Sequence, residues 1–145
     1  MLYGGFAYDD HGGNMNTWDL TTILSGMAAA AGQRIDILGF DACLMSHVEI
    51  GYQVRNYVDF LVASEETEPA QGWDYQGWLR TVTSASTPFQ VASSIVDTYG
   101  RSYQPGLVIY FPENFYTYKA WYDDPARIAF ANEGWRDFLK AFMAR

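Results

Sequence analysis

The first sustained pattern along the chain is helical. Leu20, Ile23, Leu24, Met27, Ala28 and Ala31 recur at three- and four-residue spacing, with Asn16 placed to cap the helix and Gly32 to stop it. The next apolar run, Ile35-Asp36-Ile37-Leu38-Gly39-Phe40, is short and bounded by turn signals, which predicts a largely buried strand. Residues Leu44 to Val54 suit a second helix, and Phe60-Leu61-Val62-Ala63-Ser64 suit a second buried strand. Strand, helix and strand in that order imply a parallel pair joined by a right-handed crossover.

Beyond it, Glu65 to Trp73 carries Glu, Thr, Pro, Gln and Gly and reads as a loop leaving the C-terminal end of the second strand. A helix is expected over roughly Tyr75 to Ser84. Another opens at Thr87-Pro88, a cap followed by proline at the first helical position, and carries Val91, Ala92, Ile95, Val96 and Tyr99 on one stripe. Leu107 to Phe111 reads as a third strand closed by Pro112, Phe115 to Tyr122 as irregular, and Trp135, Phe138, Leu139 and Phe142 as a final amphipathic helix. The opening Tyr3-Gly4-Gly5-Phe6-Ala7-Tyr8 adds a short strand, weakened by its glycines.

Alternating strands and helices of this kind predict an α/β fold: a three-layer sandwich with a mostly parallel sheet, whose sites form at the C-terminal strand ends. Three convincing strands make a thin sheet with an open hydrogen-bonding edge. A chain of 145 residues, 49% hydrophobic and 17% aromatic, fits one domain over residues 1–145.

The formal net charge of -8, with nine Lys and Arg scattered along the chain, argues against a nucleic-acid or anionic-membrane surface. No apolar run reaches the length of a membrane span, and Met1 to Gly5 lacks the basic start and apolar stretch of a signal peptide.

The single cysteine, Cys43, leaves no internal disulfide or thiolate cluster, so it is either a small buried apolar residue or a reactive thiol. Its place after Gly39-Phe40-Asp41-Ala42 puts it at a sharp strand exit, near the N-terminus of the predicted helix, where N–H groups and the helix dipole favour thiolate. A thiol hydrolase also needs a proton acceptor, and the chain holds two histidines. His47 sits four residues after Cys43 on the same predicted helix and points along its flank. His11, in the loop Asp9-Asp10-His11-Gly12-Gly13-Asn14, is better placed to reach the sheet edge. Aromatic residues such as Trp73, Trp78, Tyr116, Tyr118 and Trp121 offer a sugar-binding alternative, although such residues more often pack in cores and loops.

Ile35 to Phe40, Asp41-Ala42-Cys43-Leu44-Met45, Val48-Glu49, Ala63-Ser64-Glu65-Glu66-Thr67-Glu68-Pro69 and Gly72-Trp73, taken in order, resemble the clostripain family of cysteine endopeptidases. Ile109 to Pro112 and Gly134 to Leu139 resemble its C-terminal portion. The resemblance implies a caspase-like fold, a Cys-His dyad, cleavage after Arg or Lys, no cofactor, and a bacterial protein that is secreted or held at the cell envelope. It implies that Cys43 is the nucleophile, that Asp41 is the acid of the primary specificity pocket, and that Ser64 and Glu65 line the substrate cleft. A carboxylate at a strand end suits that role, being a bidentate partner for guanidinium and a point-charge partner for ammonium.

One departure concerns the base. In the family it stands in a His-Gly pair ending an apolar strand, whereas His11-Gly12 follows Gly-Gly-Phe-Ala-Tyr-Asp-Asp and stands close to Cys43 in sequence. The expectation is a partial peptidase domain whose His-Gly pair and first strands lie upstream of Met1, with an upstream segment or chain completing the sheet. The partner expected is a peptide or protein substrate with a basic residue. The alternative is a non-catalytic fragment that binds peptides or a partner chain.

Overall fold

A computed structural model describes residues 5–100, 123 and 134–144. Strands β1 (Gly5–Tyr8) and β2 (Asn14–Asn16) form an antiparallel hairpin. The opening strand is therefore present, and its partner is a segment too short and too polar to read as a strand from its sequence. A 3₁₀ turn, Thr17–Asp19, follows, in which the Asp19 carboxylate accepts from the Asn16 backbone N–H at 3.0 Å.

Helix α1 (Leu20–Ala31) ends at Gly32 in the left-handed conformation, as the stop signal predicts. Strands β3 (Ile35–Phe40) and β4 (Val58–Ala63) pair in parallel, in register from Ile35 opposite Val58 to Phe40 opposite Ala63. The crossover between them contains α2 (Val48–Val54). Arg34 ties the start of the pair together, its guanidinium donating to the Asp59 carboxylate and to the Arg55 and Val58 carbonyls.

Alternation along the two strands serves two apolar clusters. On one face Leu38, Phe40, Leu61 and Ala63 pack with Leu20 and Leu24 of α1 and Ile50 and Val54 of α2. The other face presents Ile37, Phe60 and Val62 to Trp73, Trp78, Ala92 and Ile95. Helices α3 (Tyr75–Leu79) and α4 (Pro88–Gly100) supply that second layer, so the parallel pair is covered on both sides. Gln53 Nε2 donates to the Thr17 carbonyl at 2.8 Å in the interior, joining α2 to the approach of α1.

Two expectations change. The helix expected over Leu44 to Val54 begins at Val48, because Leu44 adopts a φ of 62° and the Ser46 N–H donates to the Ser64 carbonyl. The helix expected to reach Ser84 ends at Leu79, after which Thr83 and Ser86 hold a turn through side-chain hydrogen bonds. The cap at Thr87 forms as expected: Thr87 Oγ1 accepts from the Gln90 N–H and Gln90 Oε1 from the Thr87 N–H. Helix α5 (Trp135–Met143) is present, with Leu139 fully buried and Phe138 exposed. The expected strand from Leu107 to Phe111 and the aromatic segment from Phe115 to Tyr122 lie outside the described residues.

Candidate active site

Because β3 and β4 are parallel and end level, Phe40 opposite Ala63, the segments leaving them emerge side by side. The segment after β3 carries Asp41, Ala42 and Cys43 in a tight turn, in which Leu44 takes the left-handed conformation that side chains rarely adopt. Two backbone bonds fasten this turn to the segment after β4: the Leu44 N–H donates to the Glu66 carbonyl at 3.1 Å and the Ser46 N–H to the Ser64 carbonyl at 2.9 Å.

The Cys43 thiol is exposed, and its sulfur accepts the backbone N–H of Glu68 at 3.2 Å. The thiol is thus not at a helix N-terminus, since α2 starts five residues later. A loop peptide supplies the N–H that a helix end was expected to supply. Two residues before the thiol, Asp41 Oδ2 accepts from the Trp73 N–H at 3.2 Å and the Tyr75 hydroxyl at 2.9 Å. Asp41, Ala42 and Cys43 form one wall and Glu68 to Gly72 the other wall of a solvent-open cleft of roughly 370 Å³.

Gly72 permits this arrangement twice over. Its φ is +67°, and a Cβ there would lie 2.4 Å from Asp41 Oδ2. Beneath the cleft the Trp73 ring lies against Gly39 of β3, where a Cβ would stand 3.0 Å from the indole, and Trp73 Nε1 donates to Glu68 Oε1 at 3.1 Å. Burial, and then a side-chain hydrogen bond with Asp41, push the Glu68 carboxyl up to about 7, opposed by the Trp73 indole. Hydrogen bonding to the Asp41 carboxylate raises the Tyr75 phenol.

Of the residues singled out in the sequence, Cys43 and Asp41 share the cleft. Ser64 is buried, its Oγ accepting from the Glu66 N–H at 3.2 Å, and Glu65 begins the loop without lining the cleft. His11 lies exposed in the β1–β2 turn, its backbone N–H held by Asp9. His47 is buried as the N-cap residue of α2, not carried on the helix flank. Neither histidine lines the cleft. Trp73 is only 9% exposed and packs against Val62, Ala92 and Ile95, which removes it from any sugar-stacking surface. Glu68 belongs to the family-like stretch of the sequence but carries no assigned role there, its one signal being an acidic residue between the strand end and Gly72-Trp73.

The model of the Clostripain family matches residues 4–108. The chain belongs to the clostripain family. It is therefore a member of a family of cysteine peptidases, and its α/β architecture is caspase-like. A solved cysteine protease of B. fragilis is 30% identical over 68% of this chain and 38% of its own, with a TM-score of 0.52. A clostripain from Bacteroides thetaiotaomicron, solved in complex with a peptide inhibitor, is 22% identical over 70% of this chain and 43% of its own, with a TM-score of 0.48. The clostripain-family chain described here thus spans less than half the length of either structure. Among curated proteins none matches it significantly in sequence.

Proposed function

We propose that this chain carries the nucleophile and the specificity acid of an endopeptidase that cleaves after Arg or Lys. Cys43, as thiolate, attacks the carbonyl carbon of the scissile bond. The amine product departs with a proton, leaving a thioester on Sγ, and water hydrolyses it to release the acid and restore the thiol. Asp41 receives the cationic side chain of the residue before the bond, with Glu68 to Gly72 as the opposite wall of the cleft. The proton acceptor of a Cys-His dyad comes from a residue other than those lining the described cleft.

The observation that carries this reading is the placement of an exposed thiol and a carboxylate, two residues apart, on one cleft. The carboxylate is held by two donors, Trp73 N–H and Tyr75 hydroxyl, which fix its direction. Family membership favours this chemistry over a purely binding role. The test is covalent labelling of the full chain with lysyl and arginyl acyloxymethyl ketone probes, read by peptide mass spectrometry. Labelling is expected on Cys43 and is expected to be lost in Asp41→Ala. Equal labelling by a norleucyl probe would rule out the basic pocket.

A further inference from the structure

The cleft contains a second carboxyl group for which the proposed chemistry has no use. Glu68 lies on the wall opposite Asp41, and the two side chains interact directly. Its Oε1 accepts from the Trp73 indole, whereas Oε2 is buried with no donor among the described residues. A carboxylate oxygen so placed beside another carboxylate is well satisfied by a proton or by a cation. Among the described residues no Lys, Arg or His lines the cleft to provide the cation.

We propose that Glu68 is a second specificity-determining carboxylate, which shares a proton with Asp41 while the cleft is empty and releases it when a guanidinium or ammonium group enters. This rests on the reading of Asp41 as the acceptor of a basic side chain. The entering cation then lies between two carboxylates, and the displaced proton passes to solvent through the open cleft. Arg gains more than Lys, since its planar fork offers separate N–H pairs to the two acids. The same residue holds the Cys43 sulfur through its backbone N–H, so the occupied pocket and the nucleophile share one peptide unit.

The titratable groups facing Glu68 are Asp41 at the exit of β3, Cys43 in the following turn, Tyr75 on α3, and Tyr99 on α4 across a small cavity shared with Trp73 and Ile95. None is a cation. The position of its carboxyl, near 7, means that the empty cleft gains a negative charge on passing from mildly acidic to mildly basic solution.

Calorimetric binding of argininamide to the full chain, with citrullinamide as the uncharged isostere, tests the proposal without requiring turnover. The ratio of the two affinities is expected to rise on the order of 5-fold between about pH 5.5 and about pH 8.5, with proton release on binding at the lower end. In Glu68→Gln the ratio is expected to stay at its low-pH value throughout. Trp73→Phe removes the donor that favours the ionised carboxyl, so its rise is expected at higher pH; this variant decides the matter should Glu68→Gln fail to fold. A Glu68→Gln ratio that rises like the native one, or an unshifted Trp73→Phe curve, overturns the role of Glu68 while leaving Asp41 in place. Equal affinity for the two amides at every pH overturns the reading of Asp41 and this proposal with it.

Discussion

The backbone N–H of Glu68 donates to the sulfur of Cys43 at 3.2 Å, across 25 positions of sequence. The side chain of the same residue meets Asp41 and the Trp73 indole, so one loop residue touches both the thiol and the acid proposed to select the substrate. The geometry of residues 65–73 therefore controls the candidate site as much as the strand that carries the cysteine.

Gly72 is the most sensitive position of that loop. An alanine there meets both an unfavourable φ of +67° and a contact of 2.4 Å with Asp41 Oδ2. Gly72→Ala is expected to lower stability by about 1 to 3 kcal/mol in urea denaturation and to reduce labelling by a lysyl probe. A variant with native stability and native labelling would show that the loop is not held as described.

Glu68 gives a dependence of stability on pH. Its carboxyl is raised from 4.5 to about 7, so between those values the folded chain binds a proton that the unfolded chain has lost. This contribution is fully present below the unfolded value and disappears as pH rises through about 7. Glu68→Gln keeps a donor toward Asp41 at all pH, so it is expected to match the native chain near pH ~5 and exceed it in urea midpoint near pH ~8. Parallel midpoints for the two chains across that range would count against the shifted carboxyl.

The strands β3 and β4 and the helices α1, α4 and α5 were legible because each carries a hydrophobic period or a terminal signal that its packing later uses: Leu20 and Leu24 are both buried, Gly32 stops α1, and Thr87 caps α4. The start of α2 was not, because Leu44 and Met45 have the composition of a helix while long-range bonds to Ser64 and Glu66 hold them in a turn. Cys43 stands out in the sequence by its place at a strand end and Asp41 by the family resemblance, and the structure puts both on one cleft. Glu68 was not legible, since its significance comes from a loop returning across the turn, which no local spacing encodes.

Leu24 tests the layer beneath the sheet. It is 1% exposed in the cluster joining α1, α2 and the parallel pair, and Leu24→Ala is expected to cost about 2 to 5 kcal/mol in urea denaturation. A loss below about 1 kcal/mol would mean that α1 is not packed there as described.

Thr87 tests a helix end on the other side. Thr87→Ala removes the acceptor for the Gln90 N–H and is expected to cost about 1 kcal/mol, with Thr87→Ser recovering most of it. An alanine variant as stable as the native chain would show that the cap is redundant in water.

The level ends of β3 and β4 have an evolutionary corollary. The exposed sulfur of Cys43 and the opposite wall of its cleft come from separate excursions of the chain, stitched together by peptide N–H groups at Leu44, Ser46 and Glu68. Such stitches depend on the backbone more than on side-chain identity. Exchanges among residues 69–71 can therefore reshape the opposite wall of the cleft while the Cys43 sulfur remains in place, so that under the proposed function substrate choice can diverge between descendants without reinventing the chemistry.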